Sequence, residues 1–156
     1  MLILISMLVS QAAQAMPMRI SSYEKDVIWE RPPKIVICTE KTVYNRAQVE
    51  SALSIWNADY DEIIESNRCN YSHSAGTIKI TDSQGYDLGR AWAVTSESFD
   101  AMSDGRNYFF SAIIRTSSSC TDFNILVHEI GHALGYRHYD EAQDIMNSII
   151  ECPAES

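Results

Sequence analysis

The sequence predicts an α/β (α+β) domain, a mixed sheet of about five strands with helices packed on it. Three observations predict it. The chain has 156 residues, which suits one domain of ordinary size. Hydrophobic residues make up 46% and charged residues 21%, the composition of a packed globular domain and not of a disordered, collagen-like or multi-span membrane chain. From Lys34 to Leu134 short apolar or alternating runs are interleaved with two stretches of helical periodicity, in the order strand, helix, strands, helix.

The first residues stand apart from this pattern. Leu2 to Val9 is an uncharged apolar run, followed by Gln11-Ala12-Ala13-Gln14-Ala15 with the small-x-small pattern of a secretory cleavage site. No Lys or Arg precedes the run. Residues 1–15 are read as a signal peptide and residues 16–156 as a single domain, secreted to an extracellular or periplasmic space. The run is far below the ~20 apolar residues that cross a bilayer, so no membrane span is expected.

Arg31-Pro32-Pro33 is an extended lead-in, and Lys34 to Cys38 (KIVIC) reads as a short buried strand. Arg46 to Asn57 carries Val49, Leu53 and Trp56 at helical spacing, which predicts a helix laying that stripe on the sheet. Glu62 to Ser66 is a weak strand, and Thr77 to Thr81 alternates as a half-buried strand does. Gly85 to Gly89 is a turn region, with further strands at Arg90 to Thr95 (RAWAVT) and Tyr108 to Arg115 (YFFSAIIR). After a polar loop, Thr121 reads as an N-cap with Asp122 favourable in the first turn, opening a helix to about Leu134.

Four cysteines, Cys38, Cys69, Cys120 and Cys152, lie beyond the leader; an even count in an exported chain suggests disulfides, with three pairings possible. No two lie closer than 31 residues, so there is no thiolate knuckle for zinc. In a parallel strand pair joined by a crossover helix, Cys38 and Cys69 fall at neighbouring strand ends, which leaves Cys120 to pair with Cys152. With 21 acidic against 12 basic residues the net charge is −9, the wrong sign for binding nucleic acid or an anionic membrane surface.

The chemistry is concentrated in the last helix. His128 and His132 are one turn apart on one helix face, so their imidazoles can converge on one ion. Phe123, Val127, Ile130 and Leu134 fall on a narrow arc roughly opposite, which lets the apolar side bury while the histidines face a cleft. Gly135 stands where a left-handed C-cap would end the helix, and the chain can then return His138 as a third ligand. Three nitrogens around zinc leave a fourth tetrahedral position for water, the arrangement of a catalytic site. Glu129 can hydrogen-bond that water as general base. A helix that carries histidines by chance would have to explain why three of the chain's four histidines lie between positions 128 and 138. His73, the fourth, reads as an exposed loop residue.

His128-Glu129-Ile130-Gly131-His132-Ala133-Leu134-Gly135-Tyr136-Arg137-His138 is the HExxHxxGxxH signature of the metzincin zinc endopeptidases. Asp144-Ile145-Met146-Asn147 follows at the distance where matrixins, the matrix-metalloprotease-like branch, have their Met-turn. The chain resembles that branch. The resemblance implies a zincin-like fold with the active-site helix followed by a Met-turn, one catalytic Zn2+ ion and a polypeptide substrate. It also implies that Met146 forms a hydrophobic floor beneath the metal. More weakly, Ala52-Leu53-x-x-Trp56 is similar to the family's first helix, and Arg90-Ala91-Trp92-Ala93 to the cleft-edge strand that pairs with an extended substrate. The chain departs from the branch at Tyr139, where Ser is usual, and at Asn147-Ser148, where Tyr-Pro is usual. No tyrosine stands two residues after Met146 to act as a fifth ligand, and the Pro-Arg-Cys-Gly latency segment is absent from the sequence. The expectation is a secreted, monomeric zinc endopeptidase. The alternatives are a secreted zinc-holding binding module without turnover and a small exported effector with structural zinc; Glu129 and the open coordination position argue against both.

Overall fold

The structure, a computed structural model, describes residues 25, 27–84, 86–89, 91–101, 107–139, 141, 144–148 and 152. The leader expected at residues 1–15 lies outside them. The elements are β1 (Lys34–Cys38), α1 (Arg46–Ile55), β2 (Ile63–Ser66), β3 (Thr77–Asp82), β4 (Ala93–Ala101), β5 (Asn107–Thr116) and α2 (Phe123–Ala133). The strands form one five-stranded sheet in the order β2-β1-β3-β5-β4. All neighbours are parallel except β4 and β5, so the sheet is mixed and β4 is an edge.

Register explains the core. Ile35 stands opposite Ile63 and Ile78, Ile78 opposite Ala112, Ile37 opposite Ile80, and Ile80 opposite Ile114. These rows share one face, because side chains alternate along a strand. Val49, Ala52, Leu53 and Trp56 of the α1 stripe bury against that face with Leu126, Val127, Ile130 and Ala133 of α2. The opposite face is covered by the segment after β2. There Lys79, only 5% exposed, points its ammonium at Asn70 Oδ1 (2.7 Å), the Ser72 carbonyl (2.5 Å) and Ser74 Oγ (3.1 Å). Exposed His73 lies in the same segment, and its Nδ1 meets Ser111 Oγ at 2.5 Å.

Local chemistry sets the helix ends. Asn45 caps α1 in a reciprocal capping box with Gln48. The helix stops at Ile55 rather than Asn57, because Trp56 is its C-cap and Asn57 turns left-handed at φ 46°. For α2 the N-cap is Asp122 and not Thr121: the Asp122 carboxylate accepts from the Asn124 amide at 2.7 Å, and the following residue opens the helix. The larger correction concerns β4, expected at Arg90 to Thr95 but found three residues later and longer. Ser96-Glu97-Ser98-Phe99-Asp100 is too polar to read as a strand, yet ten-residue β5 supplies a ladder along it, with a bulge at Ser98/Phe99.

Disulfides join Cys38 to Cys69 and Cys120 to Cys152, with Cα separations of 5.6 and 6.0 Å. The first ties the end of β1 to the chain beyond β2, and the second ties the start of α2 to the chain beyond residue 148.

Candidate active site

Helix α2 is buried nearly all round, since α1 and the sheet pack on one side and β4 with the 144–147 turn on the other. His128 (7% exposed) and Glu129 (6%) sit among the polar residues it carries into the interior. The helix ends at Leu134, and Gly135 follows at φ 100°. A side chain at Gly135 would also collide with the Val27 carbonyl, so the close approach of the N-terminal segment needs glycine as much as the turn does. Trp29 donates from Nε1 to the Ala133 carbonyl at 2.9 Å, satisfying one of the acceptors the helix end leaves open.

Beyond that turn, exposed His138 comes back to the helix. The three Nε2 atoms converge: His128 to His132 3.0 Å, His132 to His138 3.1 Å, and His138 to His128 3.3 Å. The other ring nitrogens explain the arrangement. His128 Nδ1 donates to the Ile145 carbonyl and His132 Nδ1 to the Tyr136 carbonyl, each at 2.8 Å. A carbonyl can only accept, so both rings carry their proton on Nδ1 and turn bare Nε2 lone pairs towards each other. Burial, with neighbouring imidazoles adding to it, pushes His128 down to about 4, and burial likewise lowers His132, so both rings stay neutral. The two bare lone pairs, 3.0 Å apart, repel unless a cation lies between them. Nitrogens ~2.0–2.1 Å from a tetrahedral zinc stand roughly 3.3 Å apart, so the donor set fits that metal.

The turn around Met146 is part of this device. The Asp144 carboxylate accepts from the Met146 amide at 2.8 Å, the Asn147 amide closes the turn onto the Asp144 carbonyl at 3.0 Å, and Ile145 provides the acceptor for His128. Met146 is fully buried, and a Cβ on Gly131 would meet its Sδ at 2.5 Å, so the glycine between the helical histidines lets the methionine reach the helix.

Glu129 points its carboxylate at β4, where the Thr95 hydroxyl meets Oε2 at 2.6 Å. Burial pushes the Glu129 carboxyl up to about 7, and the bonds from Thr95 hold it back from a larger rise. A depression of about 550 Å³ beside His132 and His138 is lined by Val27, Glu97, Phe99, Phe109, Gly135, Tyr136 and Arg137.

Among known families, the matrixin peptidase family model matches residues 38–156, well over half of the chain. The chain belongs to the matrixins. It is therefore a metallopeptidase, a hydrolase of polypeptides, on the matrixin catalytic-domain fold. Family membership implies zinc, for which this matrixin offers the His128, His132 and His138 cluster. A comparison with curated proteins finds no match. No helix among the described residues is long and apolar enough to cross a membrane.

In this matrixin the edge-strand residues expected beside the cleft divide. Ala93 opens β4, whereas Ala91 and 40%-exposed Trp92 precede it and line a separate depression with Tyr86 and Asp87. Arg90 lies outside the described residues. Thr95 escaped the sequence reading although the signal was present: a hydroxyl residue alternates with Ala93 on the strand face turned to α2. The Ile145, Tyr136 and Ala133 carbonyls left no signal, because any residue supplies one.

Proposed function

We propose that this matrixin is an exported zinc endopeptidase in which His128, His132 and His138 hold one zinc ion and Glu129 is the general base. The observation that carries the reading is the convergence of three Nε2 atoms, those of His128 and His132 held bare by their Nδ1 bonds, on the helix that also carries the buried Glu129. Zinc bound there would lower the pKa of a water towards ~7 and polarise the substrate carbonyl. The chain's own residues do the rest. The Ile145 and Tyr136 carbonyls hold two imidazoles in the tautomer that can ligate. Glu129 takes a proton from the attacking water and passes it to the leaving amine; a carboxyl raised to about 7 is suited to do both near neutral pH. The edge strand β4 offers main-chain groups to an extended peptide laid beside it. Export is supported by the apolar run at residues 2–9 and by two disulfides, which persist in oxidising compartments.

The reading is tested by incubating the purified protein with an unfolded protein substrate, with and without a zinc chelator. Internal cleavage that the chelator abolishes and added zinc restores is expected. Release of terminal residues alone would contradict an endopeptidase.

A further inference from the structure

The motif specifies a base but not what aims it. A glutamate carboxylate ends a chain of three rotatable bonds, and a base that must meet one water gains rate when that freedom is removed beforehand. Glu129 leans on a residue of another element. Thr95 lies on β4, its position fixed by pairing opposite Ile114 of β5, and as a β-branched residue it has few rotamers. Its Oγ1 lies 2.6 Å from Glu129 Oε2 and 3.1 Å from the Glu129 main-chain carbonyl.

A hydroxyl has one proton, and a carboxylate is the stronger acceptor, so in the ionised state Thr95 donates to Oε2. Oε1 is left differently. It has no hydrogen-bond partner among the described residues, and no fully buried side-chain oxygen or nitrogen among them lacks one. Oε1 is therefore open to water. One oxygen is tethered and the other is free.

We propose that Thr95 is a positioning residue for Glu129: its hydroxyl holds Oε2 and so presents Oε1 to the water that attacks the peptide. The proposal rests on Glu129 being the base. It goes further in linking that base to the strand beside which the substrate is laid, since both meet at β4. The same hydroxyl serves Glu129 after it has taken a proton. With the proton on Oε1, Oε2 is the carbonyl oxygen of the acid and still accepts from the Thr95 hydroxyl, so the tether survives the step.

Three forms decide the matter: the parent, Thr95→Val, which keeps the shape and removes the hydroxyl, and Thr95→Ser, which keeps the hydroxyl. Each is measured for zinc per chain, kcat and KM on one peptide, and the Glu129 side-chain conformation in a crystal structure. Thr95→Val is expected to keep one zinc and the parent KM and to lose between about tenfold and a hundredfold in kcat. Its Glu129 carboxylate should leave the parent orientation, and Thr95→Ser should restore both kcat and orientation. Parent kcat in Thr95→Val, or a carboxylate that stays in place without the hydroxyl, would overturn the proposal. So would a Thr95→Ser variant as slow as Thr95→Val. If the parent itself cleaved nothing, the proposed function would fall, and the crystallographic comparison would still decide whether Thr95 aims the carboxylate.

Discussion

His138 and His128 reach the same point from different surroundings, and substitution should separate them. His138 is exposed and lies beyond α2, whereas His128 is buried and gives its Nδ1 proton to the Ile145 carbonyl. His138→Ala should cost most of the zinc affinity and leave metal-free stability nearly unchanged. His128→Ala should lose zinc and also destabilise the metal-free protein by about 1–3 kcal/mol, since it leaves a buried acceptor unpaired. Metal analysis after dialysis and denaturation with urea measure both, and equal stability in the two variants would contradict the account. Titration of the metal-free site gives a second prediction, with opposing signs. Burial lowers His128 from its ordinary 6.5 to about 4, so unfolded chains take up a proton that folded chains refuse, and stability falls as pH drops through that window. Burial raises Glu129 from 4.5 to about 7, so its contribution is present at low pH and is lost as pH rises through that range. The two slopes offset each other in the parent. Glu129→Gln removes the second, so the metal-free variant should gain stability between pH 4 and 6.5 more steeply than the parent. Superimposable pH profiles would show that Glu129 is not held up by burial.

At the scale of elements, the second disulfide closes the loop that carries His128, Glu129, His132, His138 and Met146. Cys120–Cys152 ties the chain just before α2 to the chain beyond the Met146 turn and packs with Ala93 of β4 and Ile125. Closing a loop with a sequence separation of 32 stabilises by about 3–4 kcal/mol if the bond acts by restricting the unfolded chain. Replacing both cysteines by serine should therefore lower the urea midpoint well below that of the parent, while zinc raises both midpoints because it binds only the folded chain. A midpoint unchanged in the metal-free protein would mean that packing alone fixes this end of α2. Elements differ in how well the sequence announced them. Strands β1 and β3 and helix α2 were legible because one face of each is apolar at the right period. The cysteine pairing was legible because β1, α1 and β2 form a parallel crossover unit. Strand β4 was legible only at its start, Ala93 to Thr95: beyond Thr95 its residues are polar, and what makes them a strand is β5, many positions away. Helix α2 was placed one residue early because Thr121 and Asp122 are both capable caps, and only the folded geometry chooses the carboxylate.

For the molecule as a whole, the fold brings one histidine pair, a third histidine, a buried carboxylate and an exposed strand edge to one side of the sheet. The zinc signature was legible in the sequence because helical spacing alone converges His128 and His132. The supports of the site were not, since they are main-chain carbonyls and a hydroxyl from distant segments, brought close only by the fold. Whether this arrangement turns over substrate or only holds metal is decided by Glu129→Ala. That variant removes the proposed base and keeps the three imidazoles. It should fold, bind one zinc per chain and cleave an unfolded protein at least a hundredfold more slowly than the parent, the loss typical of removing a general base (~10²–10⁴-fold). Zinc-loaded Glu129→Ala that cleaves as fast as the parent would contradict the account.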